Sequence, residues 1–117
     1  MSHPGAVVLY RFPQTNQQAG KIRPAVLLGR LPGGYDDWLI CMVSSQLRHY
    51  LPDFDELVRS GDVDFVASGL RNESVIRVGR VAVVEEAILL GEIGRIAPER
   101  LKHIVSRLAD WLVRQAT

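Results

Sequence analysis

The residues best suited to chemistry stand at the head of an apolar run, Lys21-Ile22-Arg23-Pro24-Ala25-Val26-Leu27-Leu28, which Gly20 precedes. The glycine is conformationally permissive, and the proline disfavours the helical region for the residue before it, so Arg23 is expected in an extended conformation at a strand entrance. Its guanidinium does not titrate at ordinary pH, and its planar fork of donors fits a phosphate or a carboxylate. An anionic ligand is therefore the first expectation, and a solvated strand end is the plainer reading of the same residues. Other reactive side chains are sparse. One cysteine, Cys41, excludes an internal disulfide, and His3, His49 and His103 lack metal-ligand spacing, so neither a metal nor another cofactor is expected. Cys41 lies among Leu39, Ile40 and Val43 and reads as a small core residue rather than a nucleophile.

The scaffold that must hold Arg23 is small. A chain of 117 residues is long enough for one domain, 1–117, with its own core. Hydrophobic content of 47% with 23% charged residues is ordinary for a soluble globular protein. No apolar run approaches the ~20 residues that span a bilayer, and Ala6 to Tyr10 is too short for a signal-peptide core, so a cytoplasmic protein without a membrane partner is expected. The net charge of +1 argues against a wholly basic, non-specific nucleic-acid binder. Its distribution is uneven: residues 1 to 35 hold Arg11, Lys21, Arg23 and Arg30 and no acid, whereas Asp36 to Asp64 holds seven acids against Arg48 and Arg59.

Gly5 to Phe12 is rich in β-formers and stops at Pro13, which predicts a first strand, followed by a polar loop from Gln14 to Gly20. The run after Lys21 is a second strand, and Leu31-Pro-Gly-Gly-Tyr35 is a turn into a third, Trp38 to Val43. From Ser44 to Asn72 the periodicity is poor: Pro52 to Arg59 fits a helical turn or two, and Asp62 to Val66 a short alternating strand. Ser74 to Val78 and Val81 to Val84 restore strand character, and Ile88 to Ile93 fits a further short strand. Pro98, Glu99 and the stripe Leu101, Ile104, Val105, Leu108 and Leu112 predict a C-terminal amphipathic helix, with Ala97 a poor cap. The class is mainly β: a small half-open barrel with one helix packed against it. Trp111 is expected to hold that helix to the barrel edge, and Trp38 to sit in the core or a dimer interface.

The order of motifs resembles the MazF/PemK (Kid-like) toxins of type II toxin–antitoxin systems. It runs through Gly5-x-Val7-Val8-Leu9, Phe12-Pro13, Gly20-Lys21-x-Arg23-Pro24-Ala25-Val26, Asp37-x-Leu39-Ile40, Val43-Ser44-Ser45-Gln46, Gly69-Leu70, Ser74-Val75-Ile76-Arg77 and Ile93-Gly94-Arg95-Ile96. The resemblance implies an SH3-like barrel (CcdB/PemK-like), a homodimer, and a metal-independent endoribonuclease acting on single-stranded RNA and neutralised by an antitoxin. In the MazF-like pattern the arginine of the Arg-Pro pair and a threonine on the next strand carry the chemistry, and they match Arg23 and Ser44. The Kid-like pattern adds an Arg-x-Asp pair and a histidine in the first loop. This chain keeps Arg77, but Gly79 stands where the Asp would fall, and residues 14–20 contain no histidine.

Metal-free cleavage of this kind proceeds by attack of the 2′-hydroxyl on the neighbouring phosphate. Arg23 suits stabilisation of the crowded, more negative phosphorane, and Ser44 can orient the 2′-hydroxyl or a phosphate oxygen. Lys21, Ser45, Gln46 and Arg77 are expected to hold RNA, and Phe12 to offer a stacking surface for a base. The plainer readings are a turn at Ser44-Ser45, an outward solvated charge at Arg77 and a strand terminus at Phe12-Pro13. The general base is not identified. His49 qualifies on residue type alone, against the common reading of a solvated loop histidine. Two rival functions are a barrel that binds without turnover and a CcdB-like gyrase-binding toxin. The latter family has a Trp-Gly-Ile ending, where this chain has Trp111-Leu-Val-Arg-Gln-Ala-Thr117.

Overall fold

The computed structural model describes residues 3–11 and 20–117. Six strands form one antiparallel sheet: β1 (Ala6–Arg11), β2 (Ile22–Arg30), β3 (Asp37–Ser44), β4 (Glu56–Val58), β5 (Ser74–Glu85) and β6 (Gly91–Arg95). A four-residue helix α1 (Phe65–Ser68) lies between β4 and β5, and the long helix α2 (Pro98–Gln115) closes the chain. The spatial order is β4-β5-β3-β2-β1-β6, so the central strands are those with the longest apolar runs. A β-strand sends alternate side chains to opposite faces. Ala25-Val-Leu-Leu28 is apolar without alternation because both faces of β2 are covered. One face, with Val7, Val26, Cys41 and Ile76, meets Ile104, Leu101 and Leu108 of α2. The other, with Ala6, Val8, Ala25, Leu27 and Ile40, packs on Trp38.

Three bulges curl the sheet into a half-barrel. The register slips at Leu28 in β2, at Ile93 in β6, and across Val78 to Arg80 in β5, where Met42 pairs with Arg77 but Cys41 pairs with Val81. A bulge leaves residues unpaired, bends its strand and re-aims its side chains. Closure of the opposite side depends on two glycines. A Cβ at Gly94 would overlap the backbone of Ala67 and Ser68, and one at Gly69, which ends α1 at φ 74°, would overlap the backbone of Ile93. Helix α1 therefore lies directly on β6.

The half-barrel, its antiparallel order and the terminal helix match the sequence expectation, and the excursion does not. Residues 52–59 form no helix: a single hydrogen-bonded turn, with the Asp55 amide on Leu51 O at 2.9 Å, leads into Glu56–Val58, which pairs along the edge of β5. Asp62 to Val66 is not a strand. Val63 and Val66 are 97% and 89% exposed, and Asp62 and Asp64 are turned to a common partner, Arg100. The two expected strands at Ser74 and Val81 are one strand bent by the β5 bulge. Between Ile88 and Ile93 only Gly91 onwards is strand, since Glu86–Ile88 is a short 3-10 turn.

The acid-rich stretch holds the fold. Arg100 Nε and Nη2 lie 2.8 and 2.9 Å from the two oxygens of Asp64, its Nη2 lies 2.9 Å from Asp62, and its Nη1 donates to Leu57 O at 2.6 Å. Asp64 is 5% exposed and also accepts the Ala97 amide at 2.9 Å. It thus supplies at the start of α2 the cap that Ala97 lacks, where a negative charge also meets the positive end of the helix dipole. Asp55, buried, accepts the amides of Leu51 and Val78, tying the bulge to the loop before β4. Trp111 meets Phe54 with ring centroids 6.4 Å apart. Trp38 is a core residue, 2% exposed, with Arg30 stacked 4.8 Å above its ring.

Candidate active site

Strand pairing brings the expected catalytic residues together. Directly paired residues of an antiparallel sheet point to the same face. Tyr10 pairs with Arg23, and Met42 pairs with both Ala25 and Arg77. Extending the β2–β3 register by two residues from Ala25 and Met42 sets Arg23 opposite Ser44. Tyr10, Arg23, Ser44, Met42 and Arg77 therefore share one face, at the end of the row that is apolar further along as Val8, Ala25 and Ile40. There the face opens into a cleft of about 580 Å³, lined also by Gln46, Arg48, His49 and Arg80.

At its floor Ser44 is 7% exposed, with its Oγ 2.9 Å from His49 Nδ1 and accepting the Gln46 amide at 3.0 Å. The short turn Leu47–His49 follows directly from β3 and brings the imidazole back over the strand end. Arg23 enters from β2, Arg77 and Arg80 from either side of the β5 bulge, and Arg48 from the turn, where it donates to Gln46 Oε1 at 2.8 Å. Among the described residues none of these four arginines is ion-paired, whereas Arg30, Arg100 and Arg107 are. No carboxylate is among the described residues lining the cleft. Partial burial, followed by the charges of Arg77, Arg48, Arg80 and Arg23, lowers the pKa of His49 below the ordinary histidine value, which favours the neutral imidazole.

The expected binding residues divide. Gln46 and Arg77 line the cleft with Arg23 and Ser44. Ser45 instead lines an adjoining depression of about 620 Å³, with Pro24, Leu70, Arg71 and Asn72, and Arg23 borders both. Lys21 is exposed and lines neither, and Phe12 lies outside the described residues. The sequence reading missed Tyr10, Arg48 and Arg80. Tyr10 was legible from its alternation with Ala6 and Val8, but Arg80 faces the cleft only because of the bulge. Gly79 lies in that bulge, and a Cβ there would be 3.1 Å from the Phe54 ring. Position 79 points away from the cleft, so an aspartate there would not reach it. Cys41 is fully buried, and burial followed by the Asp55 charge pushes its thiol up to about 12, far from a reactive thiolate.

Among the described residues no helix is long and apolar enough to cross a membrane. No curated protein matches the chain by sequence. Among solved structures, the Mycobacterium tuberculosis toxin MazF-mt6 is similar with a TM-score of 0.66 at 13% identity, over 90% of this chain and 93% of that one. A mycobacterial endoribonuclease in complex with its cognate antitoxin is similar with a TM-score of 0.65 at 16% identity, over 96% and 95%. At such identities these structures share the fold. The model of the PemK-like, MazF-like toxins of type II toxin–antitoxin systems matches residues 3–112, nearly the whole chain. The chain belongs to that family.

Proposed function

We propose that the chain is a metal-independent endoribonuclease that cleaves single-stranded RNA at a short sequence, acting as the toxin of a toxin–antitoxin pair. The observation that carries this reading is the meeting of four arginines without ion pairs among the described residues, together with a buried hydroxyl, in one carboxylate-free cleft. Such a cleft concentrates positive potential where a phosphate would lie, while the near-neutral net charge leaves the rest of the surface unattractive to nucleic acid. Arg23 stabilises the phosphorane, with preorganised donors of this kind worth roughly 3 to 4 kcal/mol each. Ser44 supplies a hydroxyl beside it. Arg77 and Gln46 hold the RNA backbone, Ser45 and Lys21 extend the contact beyond the cleft, and Phe12 offers a base a stacking surface.

The partners follow the same electrostatics. An antitoxin with an acidic, disordered segment would fold onto the arginine cleft and exclude RNA. The similar mycobacterial endoribonuclease is bound to its cognate antitoxin. A homodimer and a cytoplasmic location complete the proposal. The test is to incubate the purified chain with a long single-stranded RNA in excess EDTA, beside Arg23→Ala, and to map the fragment ends. Cleavage at a recurring short sequence with cyclic-phosphate ends, lost in the variant, is the expected result. Intact RNA would refute the reading.

A further inference from the structure

The proposed cleavage needs a group to take the proton from the attacking 2′-hydroxyl. Arginine stays protonated at ordinary pH and cannot serve, and a serine hydroxyl is no base by itself. The Ser44 oxygen has two lone pairs and one proton. The Gln46 amide fills one lone pair at 3.0 Å, and His49 Nδ1 lies 2.9 Å from the same oxygen. If Nδ1 carries the ring proton and donates it to Ser44, both lone pairs are filled, the hydroxyl proton is left to donate to substrate, and Nε2 keeps a lone pair. The opposite tautomer would add an N–H at Nε2 to a cleft already lined by Arg23, Arg48, Arg77 and Arg80, with no carboxylate among its described residues to accept it. Four guanidinium groups favour the lone pair. The turn that carries the ring is closed by its own backbone, the His49 amide donating to Gln46 O at 3.0 Å and the Tyr50 amide to Leu47 O at 3.1 Å.

We propose that His49 is the general base of the cleavage and that Ser44 positions it. The inference rests on RNA being the substrate. As the 2′-oxygen bonds to phosphorus, its proton passes to Nε2, and the bond from phosphorus to the 5′-oxygen breaks. Solvent protonates the leaving 5′-oxygen, and His49 returns its proton to solvent, giving a cyclic phosphate and a free 5′-hydroxyl. The charged and titratable groups around His49 are Arg77 and Arg80 from β5, Arg48 from its own turn, Arg23 from β2 and Tyr10 from β1. Burial first, and then the charges of the four arginines, lower the His49 pKa and favour the neutral imidazole near pH 7.

The test follows kcat and KM across the acid-to-neutral range, in EDTA, with an oligonucleotide carrying one mapped cleavage site. Wild-type kcat/KM should rise tenfold per pH unit and level off below the ordinary histidine pKa. His49→Gln should lower kcat by at least about 100-fold and abolish the acid limb, with KM unchanged. A substrate whose leaving 5′-oxygen is replaced by sulfur needs no proton for departure. His49→Gln should remain as slow on it relative to wild type, and recovery would overturn the assignment as base. Nitrogen-15 shifts of the wild-type imidazole give a check free of mutation: a protonated Nδ1 and a bare Nε2 are expected, and the reverse overturns the proposal. A His49→Gln chain that keeps its rate and its acid limb also overturns it, while the ribonuclease reading stands. A wild-type chain that leaves RNA intact overturns both.

Discussion

Ser44 Oγ lies 2.9 Å from His49 Nδ1, although one residue ends a central strand and the other belongs to the turn that follows it. The chain returns on itself within five residues to make this contact. In the proposed mechanism Ser44 acts through its hydroxyl. Ser44→Thr, which keeps it and adds a methyl that restricts the rotamer, should cleave RNA at a rate close to wild type. Ser44→Ala should lower kcat roughly tenfold, the worth of one net hydrogen bond, while the acid limb contributed by His49 persists. Parallel kinetics in EDTA check both.

Arg23 stands opposite Ser44 in the register and borders both the cleft and the adjoining depression. Its geometry as well as its charge should count. Arg23→Ala is expected to lower kcat by about 100- to 1,000-fold. Arg23→Lys should recover only part of the loss, because an ammonium keeps the charge without the bidentate fork. Binding of an uncleavable 2′-deoxy oligonucleotide should weaken as salt rises, with a shallower slope in either Arg48→Ala or Arg80→Ala. An identical slope in wild type and both variants would remove those two arginines from the interface.

The strands and the helix were legible because they obey local rules. Ala25-Val-Leu-Leu28 is apolar on both faces, and the stripe from Leu101 to Leu112 has helical spacing. Arg23 was legible as well, since Pro24 fixes its extended conformation. The cleft as a whole was not. Arg80 and Gly79 exchange faces through a bulge that depends on pairing across β3, and pairing partners far apart in the chain leave no periodic trace. His49 stood in a stretch without periodicity, where residue type was the only signal. The acids of the excursion misled in a similar way. Asp62-Val-Asp-Phe-Val alternates like a strand, but its two carboxylates converge on Arg100, more than thirty residues away.

Position 79 gives a direct check on the bulge. In the Kid-like pattern an aspartate stands there, and the pattern alone would have Gly79→Asp add a catalytic group. The structure argues the opposite, because the new Cβ would press on the Phe54 ring at 3.1 Å, beneath Trp111. Gly79→Asp should leave cleavage no faster and should destabilise the chain by about 1 to 3 kcal/mol through overpacking. Thermal unfolding followed by circular dichroism, with the RNA assay on the same samples, separates these effects. A faster variant would mean that the bulge opens towards the cleft.

The cluster of Arg100 with Asp64, Asp62 and Glu56 makes stability depend on acid in a defined direction. The Arg100 hydrogen bond, outweighing the opposing effect of burial, lowers the Asp64 pKa below the ordinary carboxylate value. The Arg59 amide chiefly lowers that of Asp62, with Arg100 adding to it. A carboxylate whose folded pKa is depressed stabilises the fold fully above its unfolded value, and that contribution is lost as pH falls through the folded one. Wild type should therefore hold its stability down to the ordinary carboxylate range, near pH 4, and lose it progressively below. Arg100→Met leaves the buried Asp64 without its main partner and detaches the start of α2 from the excursion. It should cost about 3 kcal/mol at neutral pH and lower Tm by on the order of 10 °C. Its acid limb should also be shallower, since the two carboxylates then titrate closer to their unfolded values. Urea unfolding at a series of pH values measures both, and equal slopes in the two proteins would show that Arg100 does not set these pKa values.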